Sequence, residues 1–154
     1  MSILDLLHGS WTQHARLLRL TTPAGTGSLL AEQAEIHEAL GPTQDHAGFR
    51  IELTALSTDA HQSLTALLGQ PVRLDLQTAA SRTVLRPFHG HITRIVRQGA
   101  NGGLARYALT IEPWLAFLGQ NRDSHLFQER SVIDIVDEVL SGWQGQGKLV
   151  PAWR

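Results

Sequence analysis

The feature that most constrains this chain is a run of small residues, Gly99-Ala-Asn-Gly-Gly103, set between two strand-like segments. Glycine enters positive φ at no steric cost, so such a run joining β-patterned stretches predicts a hairpin, with residues 99–103 as its loop and at least one of Gly102 and Gly103 left-handed. The segment after it, residues 104–111, alternates so that Tyr107, Leu109 and Ile111 share one face. That face is expected to turn inward. The segment before it, residues 84–98, is long and contains Pro87 and Gly90. Proline removes a ladder donor and glycine weakens a strand interior, which predicts an edge position or a bulge there.

Two further segments carry the same period of two. Residues 49–56 place Phe49, Ile51, Leu53 and Ala55 on one face and Arg50, Glu52 and Thr54 on the other. Residues 72–78 place Val72, Leu74 and Leu76 inward. Residues 15–22 form a strand candidate closed by Pro23, Gly25 and Gly27. Between the two alternating segments, Ser57 or Thr58 can cap a short helix carrying Leu64, Leu67 and Leu68 and ending at Gly69 and Pro71. Pro113-Trp-Leu-Ala-Phe-Leu118 reads as one or two helical turns with Pro first and Gly119 after. Ser131 caps a helix through Trp143, with Asp134 three residues on and Val132, Ile135, Val136, Val139 and Leu140 as its apolar stripe. Residues 29–40 are ambiguous: they consist of good helix formers, yet alternate loosely as Leu30, Ala34, Ile36 and Leu40.

Composition narrows the class. The chain has 154 residues, 42% hydrophobic and 18% charged, with a net charge of -1, which excludes intrinsic disorder. No uncharged apolar run approaches the ~20 residues of a membrane helix. The start lacks a cationic region and carries Asp5 and His8 within its apolar part, so it does not read as a signal peptide. There is no cysteine, hence no disulfide framework or thiolate metal site. The charge is laid out in blocks: residues 73–111 hold six arginines against Asp75 alone, while acids dominate residues 1–72 and 112–140. Such blocks suit a protein that meets copies of itself or a partner.

Chemistry-bearing motifs are few. Gly142-Trp-Gln-Gly-Gln-Gly147-Lys148-Leu149 resembles a phosphate-binding loop, but Leu149 stands where a magnesium-binding hydroxyl is needed, and the run follows a helix rather than a strand. His89 and His91 are two apart on a strand and share a face, yet no third ligand at metal spacing accompanies them. No nucleophile elbow and no thiol occur. Arg94, Arg97 and Arg106 could touch phosphates and Tyr107 could stack, but an arginine-rich sheet without several aromatic platforms does not point to nucleic acid. No catalytic residue, metal or cofactor is expected.

One stretch is recognisable as a whole. Residues 87–118 carry Phe88-His-Gly-His-Ile-Thr93, then Gly102-Gly-Leu-Ala-Arg-Tyr107, running into Glu112-Pro-Trp-Leu115. Residues 121–136 add Arg122-Asp-Ser-His-Leu-Phe127-Gln128, followed by Ser131-Val132. Together they closely resemble the N-terminal region of VgrG proteins, the spike proteins of type VI secretion systems. The resemblance runs from about residue 15 to 143, with Phe88, His89, Gly90, Gly102, Gly103, Tyr107, Glu112, Pro113, Trp114, Arg122, Asp123, Phe127 and Gln128 as the motif residues.

The resemblance implies a mainly β fold with short helices: an antiparallel β-barrel of the phage tail tube and hub type, followed by a C-terminal helix. It makes residues 29–40 a strand. It implies residues 1–143 as one hub-like domain and residues 144–154 as a tail or the start of a connection to further domains. It implies a structural role without catalysis, in which the whole protein trimerises, docks on the Hcp tube and meets baseplate proteins. It further implies assembly in the bacterial cytoplasm and export through the secretion system itself, with only transient membrane contact. The alternative is a small baseplate or adaptor module of a phage-like particle that lacks a needle.

Overall fold

A computed structural model describes residues 13, 16–25, 27–42, 47–120, 122 and 124–144. The chain divides into two compact units, Met1–Ala116 and Phe117–Arg154. The first contains six strands: β1 (Leu18–Thr21), β2 (Leu30–Pro42), β3 (Ala47–Ser57), β4 (Pro71–Thr78), β5 (Ser81–Asn101) and β6 (Leu104–Glu112). All pairings are antiparallel, in one sheet of order β1-β4-β5-β6-β3-β2. The helix-forming residues 29–40 lie in β2, because pairing with β3 and burial of Leu30 and Ala31 outweigh intrinsic propensity.

The β5–β6 hairpin is tighter than the glycine run suggests. Asn101 pairs with Leu104, so the turn is Gly102–Gly103 alone, with φ of 61° and 83°, and residues 99–101 belong to the strand. Both turn residues are left-handed, the requirement of a two-residue turn whose twist matches its strands.

β5 changes neighbours along its length. Residues 81–91 pair with β4, and residues 91–101 pair with β6. This offset staggers the sheet strongly, as curling toward a barrel requires. It also accounts for Pro87, which pairs with Asp75 on the half of β5 that has no β6 partner. Gln77 N donates to Leu17 O at 2.8 Å, so the odd-numbered residues of β4 turn their backbone groups toward β1. The nitrogen of Pro87 therefore faces the open side, where no donor is needed. An edge position is what proline demands, and it has one. The irregularities of β5 against β6 fall elsewhere, between Ile92 and Arg94 and between Arg97 and Gly99.

The expected alternation sets the core. Ile51, Leu53 and Ala55 of β3 and Ala105, Tyr107, Leu109 and Ile111 of β6 are all buried, together with Val72, Leu74, Phe88 and Ile92. Each large side chain contributes about 1.5–3 kcal/mol by leaving water. The sheet is curled but not closed. β1 and β2 come close, yet among the described residues no hydrogen-bonded ladder joins them. The barrel that the resemblance implies is therefore an open one.

Helix α1 (Leu64–Leu67) is capped by Ser63, whose hydroxyl accepts from Ala66 N at 3.4 Å. Ser57 and Thr58 are not its cap, as Ser57 Oγ instead accepts from Asp59 N at 3.0 Å and shapes the preceding turn. Gly69, at φ 77°, follows the helix. A 3-10 helix, Trp114–Gln120, follows β6, with Ala116 N donating to Pro113 O at 3.0 Å. In the second unit, helix α2 (Val132–Gln144) starts on a reciprocal cap: Asp134 N donates to Ser131 Oγ at 3.2 Å, and Ser131 N donates to Asp134 Oδ2 at 3.1 Å. That bonding holds the Asp134 carboxyl below its ordinary pKa. Within the expected apolar stripe, Leu140 is buried and Ile135 and Val136 are partly so, whereas Val132 is 76% exposed.

Two glycine substitutions should separate steric need from tolerance. A Cβ on Gly90 would meet Glu112 O at 2.7 Å, Ile111 Cγ2 at 2.8 Å and Phe49 Cζ at 3.1 Å, whereas one on Gly99 meets nothing within 4 Å. Gly90→Ala is expected to cost about 3 kcal/mol and Gly99→Ala under about 1 kcal/mol, read as denaturant midpoints. Equal midpoints for the two variants would disprove the close approach. Replacing both Gly102 and Gly103 by alanine should cost at least ~1 kcal/mol per residue, since both need the left-handed region. Unchanged thermal unfolding of the double variant would show that the turn is slack.

Candidate functional site

Phe88, Gly90, Glu112 and Pro113 come together at one corner of the sheet, whereas Gly102 and Gly103 turn the far end of the β5–β6 ladder and Tyr107 lies between. Gly90 provides the close approach there. Without a side chain, it lets β5 come down on Ile111 and Glu112 and leaves room for the Phe49 ring. Phe49 meets Phe88 edge to face, with ring centroids 5.8 Å apart at 69°. The Arg86 guanidinium lies 4.8 Å above the Phe88 ring and forms a bidentate pair with Glu38 of β2, at 2.6 and 2.7 Å. The aromatic-His-Gly stretch is thus a packing device, in which one glycine admits two rings and a cation.

A polar ladder crosses the sheet beside it. The Thr93 hydroxyl donates to the Glu112 carboxylate. Arg50 Nη1 lies 3.9 Å from the same carboxylate, and its Nε donates to Glu52 Oε1 at 2.8 Å. Thr110 Oγ1 donates to Glu52 Oε2 at 3.0 Å, although Thr110 itself is only 2% exposed. Three strands are tied in register by side chains that alternate away from the core. Pro113 follows directly, with its ring 3.4 Å from the Cβ position of Gly48, and Trp114 is half-buried.

Tyr107 lies inward, fully buried, as its alternation predicts. Its hydroxyl donates to Asp59 O at 2.9 Å, and Arg97 Nη1 donates to Ala60 O at 2.9 Å. These two bonds latch the turn before α1 onto the sheet. Tyr107 is therefore unable to stack on a base; of the arginines grouped with it, Arg97 is engaged as stated, Arg106 forms a bidentate pair with Glu32 at 2.8 Å, and Arg94 is exposed. That pair holds the Glu32 carboxyl below its ordinary pKa and raises the Arg106 guanidinium. Arg73 likewise meets Asp75 at 2.8 Å. Two arginines of the basic block, Arg86 and Arg106, thus meet acids of the first third of the chain within the fold.

His89 is exposed and His91 half-buried on the outer side of β5, where His91 lies between Pro71 and Glu112 in register. Among the described residues, no group of three His, Cys, Asp or Glu side chains is placed to hold a metal ion. Of the remaining motif residues, Arg122 and Gln128 are exposed in the second unit, and Phe127 stacks on His125 at 5.8 Å. Asp123 lies outside the described residues, as does the phosphate-loop look-alike beyond its first three residues, which belong to the end of α2.

Sequence reasoning missed the partners that complete this corner. Phe49, Arg50 and Glu52 were legible as members of an alternating strand, but nothing local marks Glu38 or Glu32 as cross-sheet ion-pair partners. Burial lowers the His91 pKa. The folded protein therefore favours neutral His91, so stability is lost as pH falls through the ordinary imidazole range near ~6.5. His91→Gln should lose less stability than the wild type between pH 7.5 and 5.5, measured as the difference in urea midpoints. Parallel losses in the two proteins would rule out this role for His91.

Residues 46–150 match the phage tail baseplate hub (GPD) family. The type VI secretion system spike protein VgrG1c of Pseudomonas aeruginosa PAO1 is 33% identical over 130 residues, 84% of this chain and 17% of the relative. VgrG1b of the same strain is 33% identical over 128 residues, 83% of this chain and 16% of the relative. The chain thus spans about a sixth of the length of these two relatives. Among solved structures, the E. coli c3393 protein superposes with a TM-score of 0.65 at 24% identity, covering 79% of this chain and 31% of that one. It is described as a type VI secretion component with structural similarity to the T4 bacteriophage tail proteins gp27 and gp5. An antiparallel curled sheet, a glycine-centred corner and this match over most of its length place the chain in the phage tail baseplate hub (GPD) family, with type VI secretion spike proteins among its relatives.

Proposed function

We propose that this chain is the hub-like part of a type VI secretion spike, a passive mechanical coupler between the spike and the tube. The observation that carries this reading is the hub-family match over residues 46–150, combined with 33% identity to spike proteins over most of the chain. The fold suits the role. The corner around Gly90 and the ladder from Thr93 to Glu52 lock three strands together, which stiffens a sheet that has to carry load. In this reading the domain acts without catalysis, in keeping with its spike-protein relatives.

In this reading the complete protein forms a trimer, seats on the Hcp tube and contacts baseplate proteins, and residues 1–143 act as one hub-like domain. The protein assembles in the cytoplasm and leaves through the machine it belongs to. Among the described residues, no helix is long and apolar enough to cross a membrane.

Deleting the gene in the cells that encode it tests the reading, with release of the tube protein into the medium as readout. Release is expected to fall to background and to return on complementation. His91→Ala in the complementing copy should restore release to near the wild-type level, with bound metal at background. Normal release in the deletion strain, together with recovery of the protein on tube particles from the undeleted strain, would favour an adaptor without a coupling role. Stoichiometric zinc that is lost together with release in His91→Ala would overturn the mechanical reading.

A further inference from the structure

The two ends of the curled sheet differ in how their backbone is satisfied. β1 is four residues long and pairs with β4 through Leu18–Leu76, Arg19–Asp75, Leu20–Leu74 and Thr21–Arg73. In an antiparallel pair, alternate residues turn their N–H and C=O groups outward. Here the outward residues are Leu18 and Leu20, since Leu17 O bonds back to Gln77 N at 2.8 Å. Leu20 is fully buried, so its outward groups have no access to water and need a partner within the protein.

That partner is one side chain. Gln13 Nε2 donates to Leu20 O at 2.9 Å, and Leu20 N donates to Gln13 Oε1 at 2.5 Å. A carboxamide offers the same donor and acceptor as a peptide group. The Gln13 amide therefore bonds Leu20 in the way that a residue of an adjacent strand would. It does so at the seam where β1 and β2 come close without forming a ladder.

We propose that Gln13 is a strand surrogate that guards the edge of β1, which pairs with no further strand among the described residues, against pairing with a second copy of this chain. The edge a second copy would offer is β2, which spans 13 residues and is the other end of the strand order. An uncovered edge is a template for such pairing, and a side chain bonded across it removes the template. The inference concerns the isolated chain and does not depend on the secretion reading.

The experiment compares the wild type with Gln13→Ala and Gln13→Met, the second keeping length and bulk while removing the amide. Hydrogen exchange of single backbone amides is followed by NMR, and self-association by sedimentation equilibrium. In both variants the Leu20 amide should exchange at least tenfold faster, while Arg19 and Thr21, whose amides face β4, stay within about twofold. The self-association constant should rise at least tenfold. Unchanged Leu20 protection would show that another group holds this edge and would overturn the proposal. Faster Leu20 exchange without stronger association would overturn the guarding role. Gln13→Met keeps the comparison valid if the cavity left by alanine unfolds the chain.

Discussion

The register between β5 and β6 is the constraint on which the rest of this fold depends. It is set at one end by a turn of two left-handed glycines and readjusted by two irregularities further along. A slip of one residue would move Tyr107, Leu109 and Ile111 from the core to the solvent face and send Arg106 and Thr110 inward. The polar ladder depends on the same register, because Thr93 reaches Glu112 only if β5 and β6 are aligned as observed. So does the latch from Tyr107 to Asp59, which holds the turn leading to α1. Gly90 completes the alignment by letting the two strands approach where any side chain would collide with the Glu112 backbone.

Stagger follows from that register. β5 gives one half of its length to β4 and the other to β6, so the sheet is sheared, and a sheared sheet curls. Curling brings the interior faces of distant strands around one core and brings β1 near β2. It also carries Glu38 within reach of Arg86, and Glu32 within reach of Arg106, across strands that are not neighbours in the order. These exposed ion pairs add little stability individually. Their larger effect is to set two arginines of the basic central segment against acids from the first third of the chain.

A domain built this way suits membership of the baseplate hub family. Its distinctive residues are used for geometry: a glycine for approach, two glycines for a turn, a tyrosine for a latch, and a glutamate shared by a threonine and an arginine. Side chains bonded across three strands add to the backbone ladder in fixing their register.

By itself the sequence determined the strands with strict alternation, the inward face of Tyr107, Leu109 and Ile111, the hairpin, and the capped helix at Ser131. These rest on local physics: a period of two, a left-handed turn, and a cap three residues from its acid. Recognition of the motif run added that residues 29–40 form a strand, where propensity alone favours a helix. Only the tertiary structure decided that the turn is two residues long, that Ser63 caps α1, and that Arg86 and Arg106 pair with Glu38 and Glu32. It also decided that Gly90 is required by an approaching backbone, and that Gln13 bonds the outward groups of Leu20 where β1 comes near β2. Each of these turns on which distant atoms come within a few ångströms of each other. That is a property of strand order and shear, which a local pattern along one chain does not encode.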